Sequence, residues 1–266
     1  MKYNHSLALP LIALISLASC GDTKTKTVES VRDSLALEYS VVNTLPHNTE
    51  AFTEGLVVHD SKILESTGQN SHSWIAEVNP GSGEHNKKVN LDAQYFGEGI
   101  TVLNNKIYQL TYKHKIGFIY DARTYKQIGE FPYTTSTGEG WGMTHDNTNL
   151  ILSDGSEHLY YLDSVTLKPV KTLTVTNNGG RLKQINELEF VNGYIYANVW
   201  QTNMIVQINP ANGNVVGRLD LTALNNEVNA LYPQAYEMNG IAYDKNSKCF
   251  LVTGKFWPKA YLIKIK

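Results

Sequence analysis

Cysteine is nearly absent, with two in 266 residues, and they sit in unlike surroundings, so no disulfide framework holds this chain together. Charge of one sign is lacking too: 23 Lys+Arg stand against 25 Asp+Glu, a formal net charge of −2. No global field draws such a protein to nucleic acid, and no nucleic-acid partner is expected. The one sustained apolar run, Leu7 to Ala18, is too short to span a bilayer comfortably. Several catalytic signatures are also missing: HExxH, paired CxxC, P-loop, GxSxG, and GxGxxG in a strand–helix setting. His59-Asp60 and His145-Asp146 fall near strand ends and read as exposed turns, and no histidine is placed beside Ser156 of SDGS. Zinc catalysis and a serine nucleophile are therefore not indicated.

What is present begins with MKYNHSLALPLIALISLASC, a basic residue, an apolar stretch and small residues ending at Cys20. This reads as an export signal. Its Leu17-Ala18-Ser19-Cys20 end resembles a bacterial lipobox, which implies removal of residues 1–19 and a lipid on Cys20. A plain secretory signal cut near Ser19 is the other reading. Residues 20–37, containing GDTKTKTVESVRDS, have no hydrophobic period and are expected to be a flexible tether. The product would be an exported, membrane-anchored lipoprotein, periplasmic or at the cell surface. Cys249, flanked by Phe250-Leu251-Val252, reads as a small buried hydrophobe.

From residue 38 to 266 one domain is expected, and its architecture follows from self-similarity. KILEST, KIYQLT, NLILSD, YIYANV and CFLVTG end at Thr67, Thr111, Asp154, Val199 and Gly254, in steps of 44, 43, 45 and 55. Each is preceded by an apolar strand (EGLVV, EGITV, WGMTH, NELEF, NGIAY) and followed by a third that usually runs into an Asx-type turn. A fourth strand completes the first four repeats. The fifth lacks one, while EYSVVNTL at 38–45 is unused. Pairing that N-terminal strand with the last three closes a ring and hides two sheet edges. The fold class expected is all-β, a five-bladed β-propeller with four strands per blade. An open β-solenoid would leave a terminal strand unpaired.

The period also says which side chains meet. The residue before each first strand's apolar start is Glu54, Glu98, Trp141, Asn186 or Asn239; the turn after each second strand carries Gly68, Tyr112, Ser156, Trp200 or Lys255. Equivalent positions of a propeller form rings, so two polar and aromatic rings are expected at one mouth of the channel, a concave ligand site. A carboxyl group there, raised in pKa by desolvation, would serve as a proton shuttle, with lysine and amide donors for an oxyanion. Such equipment suits a reaction whose nucleophile belongs to the substrate, as in intramolecular cyclisation.

FTEGL, ESTG, FGEGI, LTYK, GFIYD, EGWGMT, LILSDGS, NELEF, YANVW, INPANGNVVGRLDL, NGIAY and TGKFWP occur in this order. Together they resemble the plant-type glutaminyl-peptide cyclotransferases, over nearly the whole chain after the tether. The resemblance implies a five-bladed propeller that converts N-terminal glutamine of peptides to pyroglutamate with release of ammonia, without zinc. It implies a calcium ion in the channel with a structural role. Glu98 then corresponds to the catalytic acid/base, and Lys255 and Asn186 to polar groups of the active site. Trp141, Trp200 and Phe52 correspond to the aromatic wall. Glu54 stands where plant members usually carry glutamine, and Tyr112 where they carry tryptophan. Peptides or proteins with N-terminal glutamine are the expected partners, and no surface signature demands more than a monomer. A non-catalytic peptide- or glycan-binding propeller, or a calcium-dependent propeller hydrolase such as a lactonase, are the alternatives from other classes.

Overall fold

The structure, a computed structural model, describes residues 33–266. The export signal, Cys20 and most of the tether lie outside the described residues. The chain enters through β1 (Tyr39–Pro46) and then builds blade one from β2 (Thr53–His59), β3 (Lys62–Thr67), β4 (Trp74–Val78) and β5 (His85–Asn90). Blade two is β6 (Gly97–Leu103), β7 (Lys106–Thr111), β8 (Ile116–Asp121) and β9 (Gln127–Pro132). Blade three is β10 (Met143–His145), β11 (Asn149–Ser153), β12 (His158–Asp163) and β13 (Pro169–Thr174). A two-residue hairpin, β14 (Thr176–Asn177) and β15 (Gly180–Arg181), leads to blade four: β16 (Ile185–Val191), β17 (Tyr194–Val199), β18 (Met204–Ile208) and β19 (Val215–Asp220). After α1 (Thr222–Leu231), the chain ends with β20 (Met238–Asp244), β21 (Cys249–Gly254) and β22 (Lys259–Ile265).

Every blade is an antiparallel meander. The fifth has the order β1-β22-β21-β20, with Tyr39 opposite Ile265 and Pro46 opposite Lys259. The N-terminal strand thus closes the last blade as its outermost member. The innermost strands β2, β6, β10, β16 and β20 each pack beside the next, and β20 returns to β2, so the ring is closed. The structure is a five-bladed propeller, and the solenoid is ruled out. Glycine permits the tight approach at the axis: a Cβ on Gly99 or Gly142 would collide with the backbone of the following blade.

Between blades the faces interlock. Val57, Leu64 and Ile75 of blade one meet Ile100, Val102 and Phe118 of blade two, and Ile151 and Leu159 of blade three meet Leu188 and Ile195 of blade four. Each such side chain contributes about 1.5–3 kcal/mol when fully buried. Cys249 is buried and free, as its apolar flanks suggest. The 55-residue step has a local cause, since α1 and the segment after it are inserted ahead of β20. The sequence reading did not anticipate α1 or the small hairpin. Residues 33–37, assigned to the tether from sequence, run beside β19: the Leu37 N–H donates to the Arg218 carbonyl, and the Arg218 N–H to that of Leu35.

Candidate active site

A repeated backbone hydrogen bond brings the two rings together. The N–H of Gly68 donates to Phe52 O (2.9 Å), that of Tyr112 to Phe96 O (2.9 Å), that of Trp200 to Gln184 O (2.8 Å) and that of Lys255 to Glu237 O (3.0 Å). Each accepting residue stands two places before a member of the first ring. This bond carries the turn after the second strand over the start of the first, so both rings face one cup. Blade three departs from the pattern. There Ser156 N–H donates to Asp154 Oδ1 at 3.0 Å, the Ser156 hydroxyl also bonds that carboxylate, and Ser156 takes no place in the cup.

The cup is a cavity of about 160 Å³ lined by Phe52, Glu54, Glu98, Tyr112, Trp141, Asn186, Trp200 and Lys255, with Phe96 as ninth member. The eight residues proposed for the site from sequence are therefore brought together, whereas Gly68, Ser156 and Asn239 of the two rings do not line the cup. Phe96 was missed, although FGEG at 96–99 echoes FTEG at 52–55 and would have pointed to it. Gly68 leaves the room that Phe96 fills, since a Cβ there would strike the ring. Asn239, the fifth first-ring residue, stands behind the wall and donates from Nδ2 to Glu54 Oε2 (2.9 Å) and to Thr53 O (3.1 Å).

Three charges decide the chemistry. Glu54, Glu98 and Lys255 are 3%, 5% and 6% exposed. The Lys255 ammonium lies 2.9 Å from Glu54 Oε1 and 4.5 Å above the Phe52 ring. Burial pushes Glu54 up to about 7, against the pull of Lys255 and Asn239. Burial pulls Lys255 down, but Glu54 outweighs it and the ammonium is held above its ordinary range. Glu98 has no cation in contact: burial, then the charge of Glu54, lift its carboxyl well above the usual carboxylate range, against a weaker pull from Lys255. Of the two carboxyls, Glu54 is the one paired with the ammonium, and Glu98 is the one pushed toward its neutral form. The Asn186 amide oxygen is buried without a hydrogen-bond partner among the described residues, so this amide is available to a ligand.

Trp141 and Trp200 meet edge to face at 5.3 Å. The Trp141 indole N–H donates to Glu139 Oε2 at 3.0 Å, and Lys113 lies 3.4 Å from Glu139 Oε1 and 4.5 Å above the Tyr112 ring. That N–H is engaged and is not an oxyanion donor. Glu139, another residue the sequence reading missed, occupies blade three's counterpart of Phe52 and Phe96.

Among the described residues no three His, Cys, Asp or Glu side chains converge as metal ligands. Glu187, buried on β16, accepts the N–H of Leu56 (3.3 Å) from Oε1 and that of Ile241 (2.8 Å) from Oε2. These bonds tie blade four to blades one and five. With no cluster of three His, Cys, Asp or Glu side chains among the described residues, the residues present do not fit the calcium implied by the resemblance, and no step runs through that ion.

The chain matches the glutamine cyclotransferase family model over residues 11–265. It is 35% identical over 231 residues to a glutaminyl-peptide cyclotransferase of Arabidopsis thaliana, covering 86% of this chain and 72% of that one. It superposes on the crystal structure of Myxococcus xanthus glutaminyl cyclase with a TM-score of 0.81 at 30% identity, covering 88% of this chain and 99% of the other.

Proposed function

The chain belongs to the glutamine cyclotransferase family, and from that premise we propose that it cyclises the N-terminal glutamine of peptides to pyroglutamate, releasing ammonia. One observation carries the reading: a buried carboxyl without a cation in contact shares a small aromatic cup with an ammonium and an unpartnered amide oxygen. The cavity, about 160 Å³, is on the scale of one folded side chain rather than of a whole peptide.

The substrate amine, with a reference pKa of about 7.7–8.0, is partly neutral near pH 7.5. Folded by the aromatic wall into a near-attack geometry, its nitrogen bonds to the γ-carboxamide carbon. The Lys255 ammonium holds the oxyanion that forms, and the unpartnered Asn186 amide oxygen accepts an N–H of the attacking amine. Glu98, pushed by burial toward its neutral form, acts first as acid. Its proton goes to the carboxamide nitrogen, the carbon–nitrogen bond breaks, ammonia leaves, and the Glu98 carboxylate takes a proton from the ring nitrogen. The cycle returns Glu98 to its starting state. Every group it uses belongs to the protein or the substrate.

The test is incubation of the 33–266 domain with a Gln-initiated peptide, read by mass spectrometry. A loss of one ammonia, undiminished by chelator, is the expected result. An unchanged mass overturns the reading. We further infer from sequence that Cys20 bears the lipid anchor of a monomeric exported protein. Detergent-phase partition of the full chain, abolished in Cys20→Ser, and a monomer by light scattering of the domain are the expected outcomes.

A further inference from the structure

A cup of this size takes the glutamine and leaves the rest of the peptide outside. One side of its mouth is closed: Glu139 joins Trp141 to Lys113, and Lys113 covers Tyr112. The opposite side is an aromatic shelf. Phe256 lies 5.2 Å from Phe52, Tyr236 lies 5.4 Å from Phe256 and 6.3 Å from Phe52, all edge to face. Neither Phe256 nor Tyr236 lines the cup itself.

The shelf is held firmly. Tyr236 N–H donates to Lys255 O (2.8 Å) and Phe256 N–H to Ala51 O (2.8 Å), while the buried Trp257 indole donates to Tyr236 O (2.9 Å). Phe256 sits at φ 61°, in the left-handed region that a bulky residue enters only when its surroundings fix it there. Tyr236 is 56% exposed and belongs to the insertion that lengthens the fifth repeat. An exposed tyrosine beside a half-buried phenylalanine, in contact with a wall residue of a ligand cup, is a recognition surface. Beyond it Phe256 also lines an open cleft of about 930 Å³ over blade one, room for later residues of an extended peptide.

We infer that Phe256 and Tyr236 form the seat for the side chain of the residue following glutamine, and that the seat selects an aromatic or large apolar side chain. This rests on the cyclotransferase reading and adds to it a choice among substrates. Stacking on the shelf is expected to favour phenylalanine over glycine at that position by about tenfold in kcat/KM, which is about 1.4 kcal/mol.

The experiment compares Gln-Phe-Ala with Gln-Gly-Ala. In the wild type the ratio of the two kcat/KM values is expected near ten. In Phe256→Ala it falls toward one, and in Tyr236→Ala, an exposed change with little bearing on folding, it falls part of the way. A wild-type ratio near one, or a ratio that survives both substitutions, overturns the inference. Calorimetric binding of both peptides to Glu98→Gln reads the seat without turnover. Tighter binding of Gln-Phe-Ala supports the seat even where no ammonia is released, and equal affinities overturn it.

Discussion

Two groups of buried carboxylates, one in blade one and one in the cup, show opposite answers to the same burial. Glu65 on β3 is fully buried, and so nearly are Glu54 and Glu98. Glu65 is surrounded by donors. His47 Nε2 lies 3.0 Å from Oε1, the Thr53 hydroxyl donates to Oε1 at 2.6 Å, and His85 Nε2 lies 3.0 Å from Oε2. Burial would raise its pKa, but His47 above all outweighs that and holds it at about 2. His47 also faces the Trp257 carbonyl, 2.7 Å from Nδ1. With an acceptor at each ring nitrogen the imidazole carries two protons, and Glu65 lifts its pKa against the effect of burial. Glu98 lacks such partners, and its carboxyl is raised by burial and by Glu54. The imidazole partners keep Glu65 ionised as a brace; without such a partner burial pushes Glu98 toward the neutral acid. Through Thr53 and Trp257 the brace also joins the two segments that carry Glu54 and Lys255.

The largest effect is expected from Glu98→Gln, which preserves shape and removes the proton. Turnover should fall by about 10²- to 10⁴-fold with an unchanged melting temperature. Turnover near that of the wild type, read by ammonia release, would remove Glu98 from its role. Glu65→Ala reverses the pattern. It leaves an imidazolium buried without its partner, and breaking a buried pair costs about 3–5 kcal/mol, measured by urea unfolding at pH 6. The sign with pH follows from the two shifts. Glu65, held at about 2 against an ordinary 4.5, adds stability above pH 4.5 that is lost as pH falls toward 2. His47, raised from 6.5, adds stability below 6.5 that is lost as pH rises through its folded value. The stability difference between wild type and Glu65→Ala should be widest between about pH 4.5 and 6.5 and should shrink at pH 3. A difference independent of pH would mean that packing, not charge, holds this corner.

The cup was largely legible in the sequence, and the brace was not, for a physical reason. A propeller sets equivalent residues of successive repeats around one axis, so a period of about 44 residues turns position in the chain into position in space. Glu54, Glu98, Trp141 and Asn186 follow from one register, and Tyr112, Trp200 and Lys255 from another. Shifting the first register back by two gives Phe52, Phe96, Glu139, Gln184 and Glu237, so the missed wall residue Phe96 and the missed Glu139 were within reach of the same repeat. His47, Glu65 and His85 answer to no repeat. They meet because the loop before blade one, its second strand and its outer strand fold onto one another, and no motif marks that meeting. The pairing of Lys255 with Glu54 rather than Glu98 also depends on distances that a register does not supply.

The smallest effect expected is also the sharpest probe of the comparison. If a shortage of donors and the neighbouring charge of Glu54 together keep Glu98 protonated, neutralising Glu54 should move Glu98 partway toward an ordinary carboxylic acid. The rate is expected to rise with pH as the substrate amine loses its proton, near about 7.7–8.0. It should fall again as Glu98, raised by burial and by Glu54, loses its own. In Glu54→Gln the first limb belongs to the substrate and stays in place. The second belongs to Glu98 and should shift to lower pH, narrowing the bell and lowering its peak. A bell displaced as a whole would assign both limbs to the protein. An alkaline limb that stays in place would leave burial alone, without Glu54, as the cause of the raised Glu98 pKa.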